Sequence, residues 1–410
     1  MADIPRNLPE KWIVTTFGQM AGFINGYAFA PDDWRENGLP IIRIEQLRNE
    51  NAKADYYDRP LQERYRIRNG DLIFSWSASL LTRLWDRGDA YLNQHLFKVQ
   101  NCSGVDRVFL KYLIDFNIDA MASETHGSTM KHITRPALLN YKVQIPINPD
   151  EQRQIADILS ILDEAIAWGE VLVRKYQSIK RGLISDLLRH GTRKNRSLVK
   201  APIGLMPKEW DLETIGSIAV HVGSGSTPKG GSKVYLTQGV LFIRSQNVTF
   251  DGLHLDDVAF IDAKTHEQME RSEIFAHDLL LNITGASIGR CCPFPKGFGE
   301  ANVNQHVCAI RLPKPNHADA IYLSTVLESW VGQSQIETLN AGGNRQGLNY
   351  QQLRSFNIPW PEENERAEIA EIIENCNSTL SIERENFEKL SALKQGLMQD
   401  LLSGQVRVVE

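Results

Sequence analysis

The chain has 410 residues, of which 42% are hydrophobic and 23% charged, with a net charge of -5 at pH 7. That length exceeds one typical core and fits two domains with connecting elements, while the acidic balance excludes a simple polycation that grips nucleic acid over its whole surface. The opening MADIPRNLPEKW lacks a signal-peptide core and no apolar run is long enough to cross a bilayer, so a cytoplasmic location is expected.

Residues 1–149 alternate short apolar runs with turn signals, the pattern of several short strands in a mixed α/β domain. Strands are expected at Leu39-Pro40-Ile41-Ile42-Arg43-Ile44, Asp71-Leu72-Ile73-Phe74-Ser75-Trp76 and Leu96-Phe97-Lys98-Val99, bounded by Asn37-Gly38, Asn69-Gly70 and Asn101 with Ser103-Gly104. Residues 108–121 have helical spacing. Two loops are rich in hydrogen-bond donors. One carries Ser75, Ser77 and Ser79; the other, residues 127–135 ahead of a turn at Pro136, carries Lys131, His132 and Arg135. Hydroxyl, amine and guanidinium groups on loops suit phosphate and base-edge contacts, and Arg43 joins them as a candidate. The same residue types also cap turns in ordinary solvated loops, and both readings stand.

Asn93-Gln94-His95 comes nearest to a catalytic signature, yet no Ser, Cys or paired carboxylate at recognisable spacing completes it. Asn93, Gln94 and His95 are therefore assigned a structural role, satisfying buried backbone groups. The five cysteines, Cys102, Cys291, Cys292, Cys308 and Cys376, include no C-x-x-C pair and are read as reduced, mostly buried thiols; no metal motif occurs.

Residues 151–191 form a long amphipathic stretch with apolar positions Ile155, Ile158, Leu162, Ala165, Leu172, Tyr176, Ile179 and Leu183. Without a proline, it would run roughly 60 Å as a helix. Residues 192–200, TRKNRSLVK, are a short basic linker that either touches DNA phosphates or serves as a solvated tether.

The second globular stretch opens with a glycine-rich loop at 222–231 that lacks the G-K-[ST] ending of a P-loop and the G-x-G-x-x-G spacing, so no nucleotide site is read there. Strands are expected at 240–244 and 279–283, the latter followed by a loop over 284–290. Candidate DNA contacts here are Ser224, Ser226, Thr227, Lys229, Arg244, Thr284, Ser287 and Arg290, with Asn344, Arg345 and Gln346 in the loop at 341–347. Arginine can bond guanine bidentately, and Asn or Gln can do the same for adenine. Asn304, Gln305 and His306 repeat the earlier triplet and receive the same structural role.

A second long stretch, 365–404, matches the first at constant spacing: Ile155-Ala156 falls on Ile369-Ala370, Lys180 on Lys394, and Asp186-Leu187-Leu188 on Asp400-Leu401-Leu402. The preceding segments repeat more loosely, as Trp12 with Trp210, Ile42-Arg43 with Ile243-Arg244, and Asp71-Leu72 with Asp278-Leu279. Such a repeat dictates architecture before any single motif does. Residues 151–200 carry ten Lys/Arg against six Asp/Glu, and 362–410 carry five against eleven, so the two helices suit each other as antiparallel partners. Packing between them is expected through Ile155, Ile158, Leu162, Leu172, Ile179 and Leu183 on one side and Ile369, Ile372, Leu390, Leu393 and Leu397 on the other, with Gly169 on the seam and a stutter near Phe387.

In this order the motifs resemble the specificity subunits of type I restriction-modification systems, the HsdS family. Asp71-Leu72-Ile73-Phe74-Ser75, Asn93-Gln94-His95-Leu96-Phe97-Lys98-Val99, Ile145-Pro146 before Glu151-Gln152, residues 223–228 with Ile243-Arg244, and Ile-Ala with Leu-Leu in each helix carry the likeness, which covers nearly the whole chain. The resemblance implies an α/β (α+β) fold in which two target-recognition domains, 1–149 and 205–361, alternate with helical regions 150–191 and 362–404, joined by a linker at 192–204 and ending in a tail at 405–410. It implies a pseudo-twofold repeat whose paired helices act as a ruler between two half-sites of a bipartite, asymmetric DNA sequence. Two adenine-N6 methyltransferase subunits and ATP-driven restriction subunits are the implied partners, holding S-adenosylmethionine, ATP and Mg, with no cofactor and no catalysis on this chain. The competing expectations are a nuclease or hydrolase with duplicated sites at the Asn-Gln-His triplets, and a protein-only scaffold.

Overall fold

Burial of one short apolar run on both of its faces explains the centre of each half of the molecule. The computed structural model describes residues 8–123, 132–193, 195–340 and 347–408. In it, Leu72–Ser75 lacks a polar face because Leu72 and Phe74 enter one core while Ile73 enters another. The same alternation recurs in Leu279–Asn282, where Leu279 and Leu281 face one core and Leu280 the other. Period-two side-chain direction then lets a single strand join two packed layers.

Two compact units result, Met1–Glu170 with Asn386–Glu410, and Val171–Glu385. In the first, an antiparallel sheet runs in the order Ala21–Asn25, Leu96–Asn101, Leu72–Ser75, Leu81–Leu84. A mixed sheet follows the order Asp55–Tyr57, Leu39–Ile42, Ala90–Leu92, Arg66–Ile67, its two central strands being parallel. Trp12–Thr16 pairs antiparallel with Lys142–Pro146 at the entrance to the first long helix.

The second unit repeats both sheets strand for strand. Its antiparallel sheet is His221–Ser224, Val307–Arg311, Leu279–Asn282, Cys291–Pro293, and its mixed sheet is Ala259–Ile261, Val240–Ile243, Ala301–Val303, Glu273–Ile274. Asp211–Thr214 pairs with Asn357–Trp360 as the counterpart of the entrance ribbon.

Several boundaries move for local reasons. The strands expected through Ile44 and Arg244 stop at Ile42 and Ile243, since Arg43 and Arg244 cap the turns that follow: their backbone N–H groups donate to the side chains of Gln46 and Asn247 at 3.0 Å. The expected turn at Pro136 is the first turn of a helix, Arg135–Asn140, where proline's missing N–H costs nothing and Thr134 supplies the cap. The helix expected at 108–121 spans Arg107–Ser123.

Each long helix contributes to both units. In the first unit, the start of helix Pro149–His190 buries Ile155, Ala156 and Leu159 in a core that also takes Leu401 and Leu402 from the end of helix Glu363–Leu402. In the second, Ile184, Leu187 and Leu188 share a core with Ile369 and Ile373. Both pairings are antiparallel. Lys394 Nζ meets Asp163 at 2.5 Å, and Phe387 packs where Gly169 leaves backbone bare. Burial alone would raise the Asp163 carboxyl, but hydrogen bonds from Lys394 and Tyr112 overcome it and hold the group below its usual range.

The expected seam needs correction. Leu172, Ile179, Ile372 and Leu393 are exposed, whereas Ile155 and Ile369 are buried and Ile158, Leu162, Leu183, Leu390 and Leu397 are partly covered. The two helices pair as expected, but at their ends the globular cores take the apolar side chains, so residues outside the expected set, Leu159, Ile184 and Ile373, are buried there.

Each long helix begins with a buried carboxylate that fastens its unit. Glu151 accepts from Trp12 Nε1 at 3.3 Å and from Arg407 Nη2 at 2.8 Å. Glu365 accepts from Trp210 Nε1 at 3.0 Å, Arg196 Nη2 at 2.9 Å and the Thr192 backbone at 3.1 Å. A charge this deep persists only if paired and hydrogen-bonded. Burial pushes the Glu365 carboxyl upward, and its donors more than reverse that, leaving it below the ordinary range. The basic linker thus ties Arg196 and Thr192 to Glu365, and its end forms a strand, Leu198–Ala201, against Gly204–Pro207.

Cys291, Cys292 and Cys308 are buried and reduced, and burial pushes the thiols of Cys292 and Cys308 up to about 12. Cys376 is half-buried and Cys102 exposed. Among the described residues no helix is long and apolar enough to cross a membrane, and no cluster of His, Cys, Asp or Glu has the makings of a metal site.

Candidate nucleic-acid interface

A glycine after the first strand of each antiparallel sheet sets the loops in place. A Cβ on Gly26 would lie 2.2 Å from the carbonyl oxygens of Leu92 and Asn93, and one on Gly225 would lie 1.6 Å from that of Val303. No side chain fits there, so the strand end runs directly over the Asn-Gln-His turn. In that turn Asn93 and Asn304 are buried, and their side-chain oxygens accept from the backbone of His95 at 3.3 Å and His306 at 3.1 Å. Their backbone N–H groups donate to Ile42 and Ile243, tying one sheet to the other.

In the first unit the two donor-rich loops meet. Ser77 forms a β-bridge with His132, and the Trp76 carbonyl accepts from the Ile133 backbone at 2.9 Å. Arg135 is exposed and reaches the Phe23 carbonyl at 3.2 Å, and Ser79 accepts from Arg48 at 3.4 Å. Ser75 is a correction: it is fully buried in its strand and presents nothing to a ligand. Lys131 lies outside the described residues.

In the second unit Thr284 takes the place of Ser77, bridging to Gly347 and lying 2.6 Å from His306 Nδ1. Ser224 bonds the Tyr350 hydroxyl at 2.5 Å, and Thr227 donates to Gln305, whose amide nitrogen is 2.9 Å from His306 Nε2. Ser226 and Lys229 are exposed beside them. Ser287 and the exposed Arg290 sit at the following hairpin turn. Asn344, Arg345 and Gln346 lie outside the described residues.

Arg43 and Arg244 each follow a strand of the mixed sheet. Arg43 meets Asp55 at 2.5 Å and lies 5.0 Å over Trp34; Arg244 meets Asp257 at 3.5 Å and lies 5.6 Å over Tyr235. Both guanidinium groups are committed to an acid and an aromatic ring, the same arrangement at the same point of each unit.

Beside the Trp76 loop lies a cavity of about 680 Å³ lined by Phe23, Asn25, Arg64, Tyr65, Trp76 and Arg135, with Phe97 behind them. The corresponding place in the second unit holds a cavity of about 410 Å³ lined by Ser224, Ser226, Glu267, Glu270, Arg271 and Ser272. Asn25, Arg64, Tyr65 and Tyr350 escaped the sequence reading. Nothing in the local pattern marks them, since Tyr65 ends the short turn Glu63–Tyr65 and reaches the loops only through closure of the mixed sheet.

The family model for the type I restriction modification DNA specificity domain matches residues 9–170 and 207–392. The chain is 22% identical over 406 residues to the type I restriction enzyme MjaVIII specificity subunit of Methanocaldococcus jannaschii, covering 98% of this chain and 94% of that protein. It superposes on the crystal structure of the type I restriction-modification S subunit from M. genitalium with TM-score 0.63 and 14% identity over 97% of each chain. A structure from work on complex assembly and conformational transition of the type I R-M system gives TM-score 0.57 and 14% identity over 98% of this chain and all of that one.

Proposed function

Because this chain belongs to the type I restriction modification DNA specificity family, we propose that it is the DNA-reading subunit of a type I restriction-modification complex, each unit reading one half of a bipartite, asymmetric target. The observation that carries this reading is the pairing of one fixed scaffold with two different loop surfaces. The glycine, the buried Asn and the capping Arg recur in both units, while the groups facing the cavity beside them differ. Phosphate contacts position a protein on DNA, and side chains at base edges carry the discrimination. Different loop surfaces on one scaffold therefore mean different half-sites. Contacts are assigned to Ser77, Ser79, His132 and Arg135 in the first unit and to Ser224, Ser226, Thr227, Lys229, Thr284, Ser287 and Arg290 in the second. The loops holding Lys131 and residues 344–346 complete the set.

Methyl transfer and cleavage belong, in this reading, to partners: two adenine-N6 methyltransferase subunits and ATP-dependent restriction subunits, which hold S-adenosylmethionine, ATP and Mg. A repeated chain offers each partner type two equivalent surfaces. This subunit selects the sequence; the methyltransferase turns out the adenine and modifies it. Mapping methylated adenines in cells carrying this chain with its methyltransferase tests the reading. A two-part, non-palindromic motif with a fixed unread spacer is the expected result, and methylation independent of this chain would refute it.

The hydrolase alternative has one specific contact, Thr284 with His306, but an amide from Gln305 rather than a carboxylate orients the ring. The His95 ring packs 5.9 Å from that of Trp76. Incubating DNA and divalent metal with the chain alone should give no turnover that His306→Ala removes.

A further inference from the structure

The cavity of the first unit has walls that the second unit lacks. Phe97 stands at its back between two rings, Phe23 at 5.9 Å and Trp76 at 5.9 Å, and Trp76 continues the series to His95. Tyr65 is half-exposed at the mouth with the Arg64 guanidinium 4.7 Å above its ring. Arg135 lines another side, exposed to solvent. Position by position, the second unit replaces every one of these rings. Phe23, three residues before Gly26, becomes Val222 before Gly225. Tyr65, closing the turn Glu63–Tyr65, becomes Ser272, closing Glu270–Ser272. Trp76, following Leu72–Ser75, becomes Ile283, following Leu279–Asn282. Phe97, opposite Phe74, becomes Cys308, opposite Leu281.

The cavity offers the half-exposed rings of Trp76 and Tyr65 and the exposed guanidinium groups of Arg64 and Arg135. Such walls suit a ligand that is flat, apolar on its faces and accompanied by negative charge. At about 680 Å³ the cavity falls in the range of small-ligand sites, roughly 300–1,000 Å³.

We propose that this cavity in the first unit holds a single nucleobase turned out of the duplex, stacked against Trp76 and Tyr65, with Arg64 and Arg135 on the phosphates that flank it. The inference rests on the DNA-reading function and adds to it. Stacking on the aromatic rings offsets the loss of stacking within the duplex. Lacking the rings, the second unit reads its half-site without extrusion.

Anisotropy titrations of the full chain assembled with its methyltransferase partner test this, using target duplexes in which each base in turn loses its pairing partner to an abasic residue. An extruded base no longer has to be unpaired, so binding tightens at its position. The expected result is one position, in one half-site only and distinct from the methylated adenines, where affinity rises about tenfold or more. Trp76→Ala abolishes that gain and Trp76→Phe retains it. Specific binding to the intact target with no such position, a gain at one position in each half-site, or a gain that survives Trp76→Ala would each overturn the base pocket while leaving DNA reading intact. Absence of any sequence preference would overturn the DNA-reading function itself, and the pocket with it.

Discussion

The two units build the same pair of sheets in the same strand order, yet one surrounds its loop cavity with four aromatic rings and the other with none, its walls being serines, two carboxylates, Gln268, Met269 and Arg271. Positions that hold the backbone are the ones that repeat: Gly26 with Gly225, Asn93 with Asn304, Arg43 with Arg244, Glu151 with Glu365. Each answers a geometric or electrostatic demand that any occupant of the fold would face. Side chains lining the cavities answer no such demand and have diverged. A protein assembled from a duplicated reader separates in this way what must stay from what is free to choose a sequence.

The comparison is broken most forcefully at the glycines. Gly225→Ala forces a Cβ to within 1.6 Å of the Val303 carbonyl and Gly26→Ala to within 2.2 Å of its neighbours. Losses of about 4 kcal/mol or more are expected, confined to the mutated unit and greater for Gly225. Hydrogen exchange read separately over each unit measures them. Comparable loss in both units from one substitution would contradict their independence.

The buried carboxylates come next. Glu151→Ala strands Arg407 and Trp12, and Glu365→Ala strands Arg196 and Trp210, each at a cost of about 3 kcal/mol in chemical denaturation. Because the folded-state carboxyl of Glu365 is held below its usual range, its stabilisation is full above the unfolded value and falls away as pH drops through the folded one. Glu365→Gln should therefore flatten the acid limb of the second unit's pH–stability curve. An unchanged limb would remove Glu365 from the account.

The smallest effect sharpens the contrast. Tyr350→Phe removes the hydroxyl that bonds Ser224, at about 1 kcal/mol in the second unit. In the corresponding position the first unit has Arg135, whose replacement by Ala should leave stability within about 0.5 kcal/mol and weaken DNA binding instead. Thermal melts and binding titrations on the same samples separate the two.

What the sequence made legible follows the same division. The repeat, the long helices and the central strands could be read because constant spacing and unbroken apolar runs reflect burial directly, as in Leu72–Ser75 and Leu279–Asn282. Ser75 was misplaced because a serine ending such a run gives no sign that a neighbouring strand covers it. Leu172 and Ile179 followed a heptad that the globular cores, by drawing in Ile184 and Leu187 instead, left exposed. The aromatic cavity was illegible, since Phe23, Tyr65, Trp76 and Arg135 are far apart in the chain and meet only when both sheets close.

The central claim, that two independent readers share one scaffold, is tested most directly by replacing residues 205–360 with the matching region of a relative of different specificity and mapping adenine methylation. The account predicts that one half of the target changes while the other half is retained. A change in both halves, or in neither, would contradict it.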